Sequence, residues 1–501
     1  MLREDPTTSL EDRSLHRVRT SEFYELRDWS EQHGGKGMHD YCALAGAINV
    51  PNAAECVRDM LWVQQHRGED GVGIYSFNGK PHFVKKSGRV GRVFPEEFDF
   101  SALPGNDAIG HSRYSTLGED GLQADLQPFY MSTKFKDIAL GHNGQLHDAE
   151  QMREKLVDRG AGFQSSSDSE IILHKLAQSR EKTLEDALAK ELGSIPFAYS
   201  LLLYHEDSMY AIRDPAGIRP LSLARYEGGF LAASEDGAFR IFNAEKIRDV
   251  EPGEIVRINS EGITSQKMAE AKARFCSFEC VYFSGPRSTF KGRMHEDFRK
   301  ATGKEIYAQE EEYFDRLLRT YGHDLVIVPI LDSGKQGSEG LAEASGIELK
   351  HYFLRRHNAP RVSGRSYTAS TQDARVQKAF RKLDLREEKI RGKVIITGDD
   401  SMVRGTTMRV NNERLRDAGA EKIVNVMFSP TITGVCNMGV NHQSVDELVA
   451  SGNSLEDIAG EVCADKVIFL DLKRHKKLIL EVYGESMCTG CFGGSYPKVE
   501  I

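Results

Sequence analysis

The chain has 501 residues, of which 40% are hydrophobic and 28% are charged, and its formal net charge is −9 at pH 7. This composition is typical of a globular protein, and the length exceeds what one hydrophobic core normally supports, so two domains are expected. The acidic balance argues against an extended nucleic-acid surface. No apolar run approaches the ~20 residues that cross a bilayer, which argues against a membrane protein.

The first 41 residues mix acidic and basic side chains and contain no continuous apolar segment of the secretory type. They end in the glycine-rich stretch Gly34-Gly35-Lys36-Gly37, which is typical of a flexible joint. We therefore expect a cytoplasmic protein whose folded body begins at Cys42. Eight cysteines are too few for a disulfide scaffold, so a clustered subset is expected to bind metal or to catalyse.

The segment from Cys42 to about Gly262 is predicted to be a sheet-rich α/β arrangement. Short apolar runs bounded by turn residues are typical of strands and occur at Ala43–Val50, Gly71–Phe77, Ile138–Leu140, Tyr199–Tyr204, Leu221–Leu223 and Ile255–Ile258. Helical patterns intervene at Ala53–Gln65, Leu146–Val157 and Ser169–Ala177.

Five ordered motifs in this segment combine a thiol, guanidinium groups, a carboxamide and a carboxylate. They are Cys42-Ala43-Leu44-Ala45-Gly46, Gln65-His66-Arg67-Gly68-Glu69-Asp70-Gly71, Gly110-His111-Ser112-Arg113-Tyr114-Ser115, Gly141-His142-Asn143-Gly144-Gln145 and Ser166-Ser167-Asp168-Ser169-Glu170. In order and spacing they resemble the class II glutamine amidotransferase domain, whose N-terminal cysteine is the nucleophile. The resemblance implies that this half releases ammonia from glutamine.

The chemistry of such a site explains the position of Cys42. A thiol that attacks the side-chain amide of glutamine needs a base, and a terminal α-amine with a pKa of about 8 can serve. An amine in a peptide bond cannot act this way, so residues 1–41 are predicted to be a leader that is removed after Tyr41. The alternative is that Cys42 is a small buried hydrophobic residue at the start of a strand.

The resemblance also assigns roles to residues around this thiol. Asn143 and the Gly144 amide would form the oxyanion hole. Arg113 would pair with the α-carboxylate of glutamine, and Asp168 would hold its α-ammonium group. Arg67 would shape the pocket. Each charged side chain could instead belong to a surface ion pair.

Past about Phe275 the pattern changes to strands that alternate with helices. The predicted elements are Leu325–Leu331, Gln336–Ala344, Leu349–Leu354, Val394–Thr397, Thr406–Asp417, Ile423–Phe428 and Val467–Leu470. Such alternation predicts a parallel sheet with right-handed crossovers. Ligands of these sheets bind beyond the carboxyl ends of the strands, where Asp399 and Asp400 would lie.

The run from Val394 to Thr407 has a β-branched strand, two adjacent carboxylates and a Gly-Thr-Thr turn before a helical stretch. The simple interpretation is a strand-turn-helix in which an aspartate caps the helix. The segment Asp399-Asp400-Ser401-Met402-Val403-Arg404-Gly405-Thr406-Thr407, however, resembles the phosphoribosyltransferase signature in its amidophosphoribosyltransferase form.

That resemblance implies a phosphoribosyl pyrophosphate site. Asp399 and Asp400 would engage the ribose hydroxyls and Mg²⁺, and Ser333, in the loop after the Leu325 strand, would supply a metal-associated hydroxyl. The 5′-phosphate would bind to backbone amides and side chains at a helix N-terminus. The residues implied for this phosphate are Ser401, Arg404, Gly405, Thr406 and Thr407.

A basic segment between two strands is expected to close over the diphosphate. It contains Arg361, Arg365, Arg375, Arg381 and Lys382. A charge run is also a common feature of a solvated surface. Ala359 and Val362 stand where the family has lysine and tyrosine, which leaves open whether the altered loop still supports transfer.

Four cysteines match those of the iron–sulfur subclass of the same enzymes. They are Cys276, Cys436, Cys488 and Cys491, and the resemblance implies that they hold a [4Fe–4S] cluster. The Cys488-x-x-Cys491 pair alone would also suit zinc or redox chemistry. The three cysteines without a match, Cys56, Cys280 and Cys463, are predicted to be core residues.

Together these observations predict an N-terminal nucleophile αββα sandwich (42–272), after a leader (1–41), followed by a type I phosphoribosyltransferase domain (273–501). The implied activity is glutamine-dependent formation of 5-phosphoribosylamine, the first step of purine synthesis, in a homo-oligomer acting on small molecules. Two alternatives stay open. One is amination of another phosphorylated acceptor, and the other is a non-catalytic sensor of phosphoribosyl compounds or nucleotides.

Overall fold

The structure is a computed structural model that describes residues 42–113, 123–146, 148–195, 198–355, 383–436, 438–439 and 445–497. Within these ranges no helix has both the length and the apolar character needed to cross a bilayer. Strand β1 (Ala43–Ile48) starts directly after Cys42 and forms the middle of a seven-stranded antiparallel sheet.

The seven-stranded sheet has the order β11-β9-β10-β1-β4-β2-β3. Its other strands are β2 (Gly71–Phe77), β3 (Pro81–Ser87), β4 (Asp107–Arg113), β9 (Ser222–Tyr226), β10 (Gly229–Ala233) and β11 (Glu245–Asp249). A six-stranded antiparallel sheet has the order β13-β12-β8-β7-β6-β5. Its strands are β5 (Phe129–Thr133), β6 (Lys136–Gly144), β7 (Tyr199–His205), β8 (Ser208–Arg213), β12 (Glu254–Asn259) and β13 (Gly262–Lys267).

The two sheets pack face to face because their strands alternate apolar side chains between two layers. In β1, Leu44 and Ile48 belong to the core between the sheets, together with Leu202 and Met209 of the other sheet. The alanines of β1 point to the opposite face, where α1 (Ala53–Val63) and the short α2 (Val90–Val93) lie. Helices α3 (Ala149–Val157), α4 (Ser169–Gln178) and α5 (Leu184–Gly193) cover the outer face of the six-stranded sheet. The predicted αββα sandwich is confirmed.

The second half contains a five-stranded parallel sheet of order β17-β16-β20-β21-β22. Its strands are β16 (Leu325–Pro329), β17 (Glu348–Leu349), β20 (Val394–Asp399), β21 (Lys422–Met427) and β22 (Lys466–Phe469). One face packs on α6 (His295–Gln309), α7 (Glu311–Tyr321) and α8 (Lys335–Ser345), and the other on α9 (Thr406–Asp417) and α10 (Leu455–Glu461). Helix α11 (Leu472–Tyr483) leads to the C-terminal tail. The predicted parallel sheet is thus confirmed.

The prediction of one strand at Leu349–Leu354 is wrong. Glu348–Leu349 pairs with β16 in the parallel sheet, whereas β18 (Phe353–Arg355) pairs with β19 (Leu383–Leu385) in a separate two-stranded antiparallel sheet. A second small hairpin consists of β14 (Thr289–Phe290) and β15 (Arg293–Met294). The apolar run Leu349–Leu354 resembles a single strand in the sequence, because periodicity alone does not show where a chain leaves one sheet for another.

Candidate active sites

The sulfur nucleophile implied by the sequence lies at the centre of the first half. Cys42 is buried and precedes β1, which lies between β4 and β10 in the seven-stranded sheet. Its carbonyl oxygen accepts a hydrogen bond of 3.1 Å from Nε of Arg67. The residue that the sequence selected is therefore held in a defined place by the backbone of a central strand.

The carboxamide of Asn143 lies at the end of β6, in the facing sheet. It is 0% exposed, and neither of its polar side-chain atoms has a hydrogen-bond partner among the described residues. A buried amide without partners costs free energy unless a bound molecule completes its hydrogen bonds. The next residue, Gly144, has φ +147°, and a Cβ there would lie 2.0 Å from the carbonyl oxygen of Ala198. Only glycine fits this turn.

Arg113 and Asp168 come from different elements of the same sandwich. Arg113 ends β4, where its Nη1 donates to the carbonyl oxygen of Asp125 at 2.7 Å and lies 3.3 Å from the Asp125 carboxylate. Asp168 precedes α4, and its Oδ2 accepts a hydrogen bond of 2.7 Å from the amide of Leu146. Each of the two predicted glutamine ligands is thus oriented by a local partner.

Two buried histidines support these residues, and the sequence analysis gave them no role. His111 donates from Nε2 to the carbonyl oxygen of His142 at 3.0 Å, and burial lowers the pKa of His111 to about 3. His142 Nδ1 lies 2.8 Å from Ser169 Oγ and 3.8 Å from Asp168 Oδ1, and burial also lowers its pKa. Both rings are therefore neutral at physiological pH, and His142 contacts Ser169, the neighbour of the predicted ammonium ligand.

Arg67 belongs to a network of buried charges. Nη1 donates to Glu235 at 2.7 Å and to Glu279 at 2.9 Å, and Nη2 donates to Glu279 at 2.8 Å. Arg219 contacts the same Glu279 at 3.2 Å. The part of Arg67 in the glutamine pocket stays a prediction. The observed contacts of Arg67 fix the backbone of Cys42. Sequence reasoning missed both glutamates because they lie more than 160 positions from Arg67.

The paired aspartates lie at the carboxyl end of β20, as the sequence predicted. Asp399 and Asp400 are each 6% exposed, and Ser333 Oγ donates to Asp399 Oδ1 at 2.7 Å. The Asp400 amide donates to the same oxygen at 2.9 Å, and Ser401 Oγ donates to Asp400. Burial raises the pKa of both carboxyl groups, and the Asp400 charge raises that of Asp399 further. Such a pair favours a cation or a sugar diol as its ligand.

A cavity of about 90 Å³ opens beside these carboxylates. Its wall includes Ser333 and the whole run from Asp399 to Met408, and α9 begins there at Thr406 after Gly405, whose φ is +73°. The free amides of a helix N-terminus suit a phosphate. Arg404 also lines the cavity, but its Nη2 donates to buried Glu447 at 2.5 Å.

The basic segment of the predicted closing loop falls at residues 356–382, outside the described residues. The roles of Arg361, Arg365 and Lys382, and the effect of Ala359 and Val362, therefore stay predictions.

The four matched cysteines come together in one buried cluster with apolar neighbours. Cys276 and Cys488 lie on adjacent backbone segments, and the Cys488 amide donates to the carbonyl oxygen of Phe275 at 2.8 Å. Burial raises the pKa of Cys276 to about 11, with Cys436 adding to the effect, and burial with Cys276 raises that of Cys488 to about 12. Burial and its three cysteine neighbours raise the pKa of Cys491 strongly.

The cysteine cluster differs in arrangement from a site for one metal ion. No group of three or more His, Cys, Asp or Glu in the described ranges is arranged to hold a single metal ion. A four-iron cluster holds its thiolates farther apart than one ion does, and four buried thiols from three segments fit its donor set.

The unmatched cysteines only partly follow the prediction. Cys56 and Cys280 are buried, as expected of core residues. Cys463 is half-buried, and its Sγ lies 3.8 Å from Glu413 Oε1, so its prediction as a core residue is wrong. It follows the end of α10 with φ +58°, a left-handed turn position.

Comparison with known proteins gives similarity over both halves of the chain. A family model described as a glutamine amidotransferase domain matches residues 111–240. The amidophosphoribosyltransferase of Bacillus subtilis (strain 168) is 34% identical over 468 residues, covering 92% of this chain and 95% of the relative. Amidophosphoribosyltransferase 3, chloroplastic, of Arabidopsis thaliana is 33% identical over 464 residues, covering 92% of this chain and 84% of the relative. The solved glutamine phosphoribosylpyrophosphate amidotransferase from B. subtilis, complexed with ADP and GMP, has a TM-score of 0.81 at 33% identity, covering 91% of this chain and 97% of that chain.

Proposed function

The chain belongs to the amidophosphoribosyltransferase family, and we propose that it moves ammonia from glutamine to phosphoribosyl pyrophosphate. The products are 5-phosphoribosylamine, glutamate and pyrophosphate. The observation that carries the proposal is the fully buried carboxamide of Asn143, which has no partner among the described residues and belongs to the sheet facing Cys42. A tetrahedral oxyanion would use its N–H group.

In the glutaminase step, the thiol of Cys42 loses its proton to the α-amine that removal of residues 1–41 would free. The thiolate attacks the carboxamide carbon of glutamine, and Asn143 with the Gly144 amide stabilises the oxyanion. The α-ammonium of Cys42 then returns its proton to the leaving nitrogen, so that the intermediate expels ammonia and leaves a thioester, which water hydrolyses. Arg113 and Asp168 hold the carboxylate and ammonium groups of glutamine, so only the correct amide reaches the sulfur.

In the transfer step, ammonia displaces pyrophosphate from the anomeric carbon of the sugar. Asp399 and Asp400 accept hydrogen bonds from the ribose hydroxyls, and the N-terminus of α9 holds the 5′-phosphate. Mg²⁺ would be held by the two aspartates and Ser333, and when bound it neutralises charge on the departing diphosphate. The buried carboxylate pair favours this ligand set, since its own charges repel.

The cysteine cluster has a structural part in the same proposal. Cys276, Cys436, Cys488 and Cys491 would hold a [4Fe–4S] cluster, which when bound links thiolates from distant segments. Cys276 directly follows the glutaminase half, and Cys488 and Cys491 lie in the C-terminal tail. A cluster held by these cysteines would connect the C-terminal tail to the junction between the two halves.

Two measurements test this function. Mass spectrometry of the purified protein is expected to give Cys42 as the first residue, and N143A is expected to lower kcat for glutamine hydrolysis by roughly 10²–10³-fold. The same variant should form phosphoribosylamine from added ammonia at the wild-type rate, because its defect is confined to the glutaminase. An intact leader on every active molecule, or full glutaminase activity in N143A, contradicts the proposal.

A further inference from the structure

Arg299 is a buried guanidinium beneath the paired aspartates. It lies on α6, is 7% exposed, and donates from Nε to the carbonyl oxygen of Cys280 at 2.9 Å and from Nη2 to that of Ser284 at 2.6 Å. Both of these hydrogen bonds go to main-chain carbonyl oxygens and neither goes to a carboxylate. A buried cation held only by carbonyl dipoles is costly, so its charge requires an explanation.

Asp400 is the counter-charge that acts most strongly on this guanidinium, and Arg299 acts on Asp400 in return. The two side chains share the wall of a cavity of about 10 Å³ together with Ser333. A volume of this size holds about one water molecule, and the three polar groups provide enough hydrogen-bond partners for it.

Asp400 faces a second and larger space on its other side. It lines the cavity of about 90 Å³ into which the N-terminus of α9 points. The carboxylate therefore lies between the proposed sugar-phosphate site and the small polar cavity with Arg299. Of the two aspartates only Asp400 lines both spaces, whereas Asp399 is held by Ser333 and by the Asp400 amide.

We propose that Arg299 is a positioning residue for phosphoribosyl binding, which orients the Asp400 carboxylate toward the sugar through one bridging water. Two adjacent buried carboxylates repel each other, and a fixed positive charge on the far side of one of them attracts that carboxylate and limits its movement. The inference rests on the proposed function and names a residue of that site that no sequence motif indicated.

The test compares two buried arginines in the ammonia-driven reaction, which bypasses the glutamine site. R299M is expected to raise KM for phosphoribosyl pyrophosphate at least tenfold, and R299K is expected to recover most of this loss because it keeps the charge. Arg213 is the matched control: it is equally buried and donates to the carbonyl oxygens of Arg219, Val250 and Gly217, within the glutaminase half. R213M should lower Tm but leave KM within twofold of wild type.

A double-variant comparison keeps the inference testable if R299M is also unstable. If Arg299 acts through Asp400, R299M should raise KM much less in a D400N background than in the wild type. The inference is overturned if R299M leaves KM within twofold, if R299K behaves like R299M, or if the effects of R299M and D400N multiply. Failure of the proposed function itself would look different, because wild-type protein would then release no pyrophosphate from phosphoribosyl pyrophosphate and ammonia.

Discussion

Glu279 is the residue whose replacement should reveal most about how the two halves are held together. Its carboxylate is fully buried and accepts hydrogen bonds from Arg67 at 2.8 and 2.9 Å, from Arg219 at 3.2 Å and from Ser284 at 2.8 Å. Changing Glu279 to Gln keeps the size and removes the charge. Both arginines are 0% exposed; Arg67 keeps its ion pair with Glu235, whereas Arg219 loses its ion pair with Glu279.

Two independent routes give the expected magnitude. Burial alone would raise the pKa of Glu279, but Arg67 and Arg219 overcome it and hold the pKa at about 2, against a usual value of 4.5. A depression of this size corresponds to about 3 kcal/mol. Removal of one partner from a buried ion pair costs about 3–5 kcal/mol in other proteins. We therefore expect E279Q to lower Tm by roughly 6–20 °C.

Differential scanning calorimetry with a matched variant provides the assay. Glu254 accepts two hydrogen bonds of 2.7 Å from Arg248, but that arginine is one-third exposed, so E254Q should cost only about 0–1 kcal/mol. Glutaminase activity of E279Q should fall with its stability, because Arg67 also holds the carbonyl of Cys42. The proposed role of Glu279 is contradicted if E279Q has the same Tm as E254Q or keeps full glutaminase activity.

Three further outcomes follow from the same geometry. The folded-state pKa of Glu279 is depressed, so its contribution to the free energy of unfolding is complete above about pH 4.5 and is lost as pH falls toward 2. The Tm difference between wild type and E279Q should therefore shrink over that range. G144A should abolish glutamine hydrolysis but spare the ammonia-driven reaction, since the new Cβ would meet the carbonyl oxygen of Ala198 at 2.0 Å; the two rates are measured side by side. C436S should remove bound iron and visible absorbance from the purified protein, whereas C56S, which alters an unrelated buried cysteine, should retain both.

The parts of the site that were predictable from the sequence are those whose residues are contiguous. Asp399 to Thr407 form one strand end, one turn and one helix start, so local chemistry fixes their arrangement before any tertiary contact. Asn143 and Gly144 were found for the same reason. The buried charges that pair with Arg67 were missed because Glu279 lies 212 positions from Arg67, and the sequence around either residue does not indicate the other.

The same limit explains the errors in the fold. Leu349 and Phe353 lie in different sheets although only three residues separate them, because the pairing partner of each strand is set by distant segments. Hydrophobic periodicity indicates that a segment is buried and extended, but it does not indicate which strand the segment pairs with. Cys463 was mistaken for a core residue for a related reason: its turn conformation depends on where α10 ends.

The buried charges at the junction connect the strand that follows Cys42 to the loop that carries Cys436. Arg67 joins the carbonyl oxygen of Cys42 to Glu279, and Arg219 joins Glu279 to the carbonyl oxygen of Met438, two residues past Cys436. Each arginine needs the glutamate, because an unpaired buried guanidinium is costly. The strand that follows Cys42, the junction turn that carries Glu279 and the loop that carries Cys436 are therefore linked through one buried carboxylate, so loss of the Glu279 charge should weaken the packing of all three segments.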